Sequence, residues 1–87
     1  MTTVRQFVGP NGTVKNHFII IEDQGRVKYF QSYDSKIVKI EEGKVTLGRD
    51  WKFSLTTSKY RARFLNESTK ETQAKLDSGE YLYDEDM

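Results

Sequence analysis

The spacing of apolar residues changes abruptly midway along this 87-residue chain. Up to Leu47 apolar and polar side chains alternate: Val38 and Ile40 against Lys39 and Glu41, then Val45 and Leu47 against Lys44 and Thr46. A period of two is the mark of a strand with one buried face. Beyond Thr56 the period lengthens, and Tyr60, Phe64 and Leu65 fall at i, i+4 and i+5, a narrow helical stripe. Strands first and helices last point to an α+β domain. The expected form is an antiparallel sheet of four to five strands, followed by two C-terminal helices against one face and a short terminal strand. A sheet curled into a small barrel is the alternative that this order leaves open.

Turn chemistry divides the strands. Val4–Val8 reads as a short edge strand, and Gly9-Pro10-Asn11-Gly12 as a turn in which Pro presets φ and Asn-Gly accepts positive φ. The β-branched run His17–Glu22 reads as a strand buried on both faces. Asp23-Gln24-Gly25 closes it into a hairpin with a strand that places Val27, Tyr29, Gln31 and Tyr33 on one face and Phe30 on the other. Asp34-Ser35 breaks that strand, and Glu42-Gly43 makes a second hairpin. Alternation resumes after Gly48 as Trp51, Phe53 and Leu55, which predicts a bend there rather than a strand end.

Thr56, Thr57 and Ser58 are the expected N-caps of the first helix, and Asn66 its stop. Ser68-Thr69-Lys70-Glu71 matches a capping box, opening a second helix that ends at Ser78-Gly79. Trp51, Phe53, Tyr60, Phe64 and Leu65 are the expected core.

Eighty-seven residues make a single small domain, 1–87, with an acidic tail over 84–87. With no cysteine there can be no disulfide and no thiolate metal site. His17 is the sole histidine and has no carboxylates at ligand spacing around it, so neither metal nor cofactor is expected. No apolar run approaches the ~20 residues that span a bilayer. The first residues lack the apolar stretch of a secretory signal, so a cytoplasmic protein is expected. Nucleophilic catalysis would need His17 as its base, and Glu41, Glu42, Asp84, Glu85 and Asp86 sit in a turn or a tail where water keeps carboxylates ordinary. The expectation is a non-enzymatic protein with no catalytic residue.

A net charge of +1 hides an asymmetry. Residues 44–63 carry six basic side chains against Asp50 alone, whereas residues 64–87 carry seven acids against Lys70 and Lys75. Such a dipolar surface steers charged partners. The expected partner-binding surface is Lys59, Arg61 and Arg63 with Tyr81 and Tyr83, since Tyr and Arg dominate interface energetics. The acidic tail either meets a basic partner or folds back on Lys59, Arg61 and Arg63. A second reading takes Tyr29, Gln31 and Tyr33, with Lys28 beside them, as a platform for unpaired bases. A homodimer burying the Phe18–Ile21 strand edge is compatible with either.

The segment 29–65 also resembles short uncharacterised proteins encoded by phages and prophages of Gram-positive bacteria. The resemblance lies in Phe30-Gln31-Ser32-Tyr33, Ile37-Val38, Trp51-Lys52-Phe53-Ser54 with Thr56-Thr57, Lys59-Tyr60 and Phe64-Leu65. Relatives often carry an acid at the position of Lys52 and Tyr at that of Phe53. The resemblance implies a phage accessory protein that occupies a host or phage protein stoichiometrically, most concretely an inhibitor of a bacterial defence system of the anti-CRISPR type. It carries no activity of its own.

Overall fold

The computed structural model describes residues 1–87. Five strands follow one another as an antiparallel meander: β1 (Thr3–Gly9), β2 (Gly12–Glu22), β3 (Val27–Ser32), β4 (Ser35–Glu41) and β5 (Lys44–Gly48). Two helices, α1 (Leu55–Leu65) and α2 (Thr69–Asp77), then carry the chain back to β6 (Leu82–Asp84), which adds to β5 in parallel. The α+β order expected from the period change is the order found. The sheet stays open, with β1 and β6 as its two edges and no pairing between them.

The turns follow from residues that tolerate positive φ. Gly9 faces Gly12 across Pro10-Asn11, and Gly12 takes φ 110°. Glu42 and Gly43 both take positive φ, the geometry that matches the twist of a two-residue hairpin. A bulge opposite Phe30 and Gln31 sets Ile37 outside the ladder, and Ile37 and Val38 are both buried in the core. That core is Phe7, Phe30, Ile37, Val38, Leu47, Trp51 and Tyr81, with Tyr60, Phe64 and Leu65 of α1 packed against it. Phe64 stacks on Phe30 at 5.4 Å between ring centroids, and Phe7 meets Phe30 edge-on at 5.2 Å.

Two local expectations fail between Gly48 and the start of α1. The chain does not bend and continue as a strand; β5 ends there, and residues 49–54 are turns closed by Trp51 N–H to the Gly48 carbonyl and Phe53 N–H to the Asp50 carbonyl. A Cβ on Gly48 would approach the Lys36 carbonyl oxygen to 2.3 Å, so the residue is small because β4 lies against it. The alternation Trp51, Phe53, Leu55 is therefore coincidental: Trp51 is buried, while Phe53 is 79% and Leu55 91% exposed. The N-cap of α1 is Ser54, whose Oγ accepts from Thr57 N–H at 3.1 Å, and not Thr56, Thr57 or Ser58. Asn66 ends α1 in the left-handed region, and Ser68 and Glu71 form the expected capping box around the start of α2. β2 is an interior strand, paired on both sides by β1 and β3, so the Phe18–Ile21 stretch offers no edge to a second copy.

Candidate functional site

Three groups of polar residues stand out, two centred on buried side chains and one open to solvent. The first joins the sheet to the start of α1. His17 Nδ1 lies 2.9 Å from the Lys15 carbonyl, which can only accept, so Nδ1 carries the proton. In the neutral ring Nε2 then accepts from Ser32 Oγ at 3.0 Å, Ser32 accepts from Thr57 at 2.9 Å, and Thr57 accepts from Ser54 at 3.2 Å. Every donor along this chain meets an acceptor. His17, Ser32 and Thr57 are all buried, with Tyr33 and Tyr60 edge-on to the imidazole at 5.3 and 5.0 Å. The arrangement pins β2, β3 and α1 to one another, and its Ser–His contact has both partners engaged.

The second group ties the helices together. Arg61 is fully buried, its guanidinium 4.9 Å from the Trp51 ring centroid and donating to the Trp51 carbonyl and to Thr69 Oγ1. Its Nε is buried without a partner. Burial pushes the guanidinium pKa down, and the charge of Glu67 pushes it back up. Glu67 accepts from Thr72 Oγ1 at 2.8 Å, Lys75 Nζ at 2.8 Å and Tyr81 Oη at 3.0 Å. Burial pushes its carboxyl up, but those hydrogen bonds and the charge of Lys75 outweigh it and hold the group below its ordinary range. The hydrogen bond to Glu67 raises the pKa of Lys75, and burial, together with the bond to Glu67, raises that of the Tyr81 phenol.

These two residues correct the sequence reading. Arg61 and Tyr81, expected on the contact surface, are interior: Arg61 points from α1 toward Trp51, and Tyr81 anchors the chain after α2. Tyr83, 49% exposed on β6, sits at the opposite edge of the sheet from β1, five strand spacings or ~24 Å away. Nor does the tail fold back on α1. Glu85 and Met87 line a hollow with Lys36 and Arg49 beyond β5, and no tail carboxylate pairs with Lys59, Arg61 or Arg63.

The third group is open to solvent and holds Arg63 alone of the expected contact residues. Arg63 lines a groove of about 870 Å³ between α1 and the sheet, joined there by Arg5 of β1 and Lys28 of β3. Phe7, Val8, Ile19, Ala62 and Phe64 make its apolar lining. Arg5 pairs with Ile19, and Ile19 with Phe30, in the strand register, so these residues face the helices together. Lys28 lies on that face too, its Nζ 5.9 Å from the Phe64 ring centroid. Lys59, one turn before Arg63, lines a hollow against the β1–β2 turn. Glu67 is the one acid in the groove lining, and its charge is already met by Lys75. No carboxylate comes within 4.0 Å of Arg5, Lys28, Lys59 or Arg63. Arg5 carried no sequence signal, because only the register of β1 reveals which face it takes.

The nucleic-acid platform comes apart in the same way. Tyr29 and Gln31 lie on the sheet face without helices, where Lys36 Nζ sits 4.3 Å above the Tyr29 ring. Lys28 points to the other face, and Tyr33 leaves the strand at φ 55° to pack on His17. No three His, Asp or Glu side chains gather where they could hold a metal ion, and no helix is long and apolar enough to cross a membrane.

A family model described as a family of unknown function, DUF8033, matches residues 2–80. The chain belongs to this family. The DUF8033 span takes in all five meander strands and both helices, and with them every residue of the basic groove; β6 and the acids at 84–86 follow it. No curated protein and no solved structure matches the chain.

Proposed function

We propose that this protein works without chemistry of its own, by stoichiometric binding of another protein through the basic groove between α1 and β1. The observation that supports this reading is the pairing pattern of its charges. Arg5, Lys28 and Arg63 converge on an open groove with no carboxylate paired to them, since Glu67, the one acid in its lining, is already met by Lys75. Unpaired cations around an apolar floor fit an acidic surface on a partner, giving both orientation and a fast encounter. The resemblance of 29–65 to short phage-encoded proteins supplies the context. There the partner is a host protein in the bacterial cytoplasm, and inhibition of a defence system of the anti-CRISPR type is the concrete form.

A single-stranded nucleic acid on the open sheet face is the second reading, favoured by Tyr29 beneath Lys36, with Phe18 and Ile20 beside it and Lys39 opposite it. Capture by the tagged protein from a lysate of a Gram-positive bacterium, with and without nuclease, separates the two. The binding reading predicts a stoichiometric protein that survives nuclease. Capture that vanishes with nuclease overturns it in favour of Tyr29 and the open face.

A further inference from the structure

We infer that the partner enters as an added strand: an extended acidic segment of the bound protein pairs with the outer edge of β1 and lays its carboxylates into the groove beside it. This rests on the protein-binding reading above and specifies the form of its ligand. β1 is seven residues long and lies at one edge of the sheet, hydrogen-bonded on one side only, to β2. None of the backbone hydrogen bonds made outside the helices and ladders reaches Thr3–Gly9, so its outward row of N–H and C=O groups has no partner in the chain.

Edge strands are ordinarily kept short, charged, or interrupted by proline to prevent such pairing. The opposite edge follows that rule, since β6 is three residues long and runs into Asp84-Glu85-Asp86. β1 has an irregular register against β2 between Gln6 and Val8, but it holds no proline and a single charge, Arg5, and it exposes Val4 and Val8.

Strand addition joins main-chain hydrogen bonding to side-chain selection, because alternate residues of the incoming segment face opposite sides of the sheet. On the helix side those residues meet Arg5, Lys28 and Arg63, which selects Asp or Glu. On the other side they meet Val4, which selects an apolar residue. A second copy is disfavoured as the occupant, since pairing β1 with β1 about a two-fold axis would bring two basic grooves together.

The test uses the full chain and an end-blocked peptide alternating glutamate and valine, about eight residues long to match the reach of β1. A second version carries N-methyl groups on alternate amides along one edge. Backbone amide shifts of the isotopically labelled protein report on both. The expected result is saturable shifts confined to β1, Lys28 and Arg63, weakened about tenfold or more by the N-methyl groups, which remove several hydrogen bonds without touching charge. Equal binding of both peptides overturns strand addition while leaving the acidic-partner reading intact. No binding by the unmethylated peptide at millimolar concentration overturns both. Shifts of β1 that change on dilution of the free protein would assign the edge to a second copy and overturn the inference.

Discussion

Replacing Arg61 with alanine should markedly destabilise the packing of α1 and α2 on Trp51, although arginine at this position reads as a surface residue. The side chain is fully buried and donates to the Trp51 carbonyl and to Thr69. Its removal orphans a carbonyl in the interior, at about 1–3 kcal/mol, and opens a cavity beneath Trp51 worth roughly another 2 kcal/mol. Relief of the guanidinium's desolvation and of the unpaired Nε returns about 1 kcal/mol, leaving a net loss near 3 kcal/mol. At roughly 0.05–0.15 kcal/mol per residue a domain of this length has about 4–13 kcal/mol in total. The loss should lower the thermal midpoint by about 12–24 °C. Urea titration followed by Trp51 emission reads it directly, because Trp51 is the sole tryptophan and lies under the substituted side chain. Arg63→Ala, two residues along the same helix but exposed, should move stability by no more than about 0.5 kcal/mol. A loss below about 1 kcal/mol for Arg61→Ala, or equal effects at the two positions, would refute the assignment of Arg61 to the interior.

Glu67 sets the acid limb of stability. Its folded pKa lies below the ordinary value of 4.5, so its contribution is present above that value and is lost as pH falls from about 4.5 through the lowered pKa. Glu67→Gln should lower the midpoint at neutral pH and flatten its decline between pH 5 and 2, as scanning calorimetry across that range would show; a slope unchanged by the substitution would contradict the network. Ser68→Ala removes the side-chain half of the capping box, the Oγ that accepts from Glu71 N–H, and should cost about 1 kcal/mol by urea titration; a neutral result would contradict the role of the cap. Gly48→Ala drives a Cβ into the Lys36 carbonyl and should destabilise by about 1–3 kcal/mol; an unchanged midpoint would mean that β4 and β5 lie farther apart.

The sequence made the strand order, both hairpin turns, the Asn66 stop and the capping box legible, because each rests on residues close together in the chain. What it hid was long-range. Phe53 and Leu55 fit an alternating pattern in which only Trp51 is anchored, and nothing local announces that β5 ends at Gly48 against the Lys36 carbonyl. Arg61 and Arg63 are indistinguishable as letters, yet a rotation of two residues on α1 sends one to Trp51 and the other to the groove. Tyr81 looked exposed beside an acidic tail, but a carboxylate fourteen residues earlier, Glu67, draws it inward. Lys59 and Arg63 were correctly read as neighbours, one helical turn apart, while Arg5 and Lys28 join Arg63 only through the register of three strands.

The groove is the central claim, and the most direct measurement compares the intact protein with the variant Arg5→Glu, Lys28→Glu, Arg63→Glu in quantitative capture from nuclease-treated bacterial lysate. All three side chains reach solvent and make no ion pair within the chain, so the thermal midpoint should stay within a few degrees. The account predicts a stoichiometric protein held by the intact chain and lost from the folded variant. Equal capture by both proteins would contradict it and move the binding surface elsewhere on the molecule.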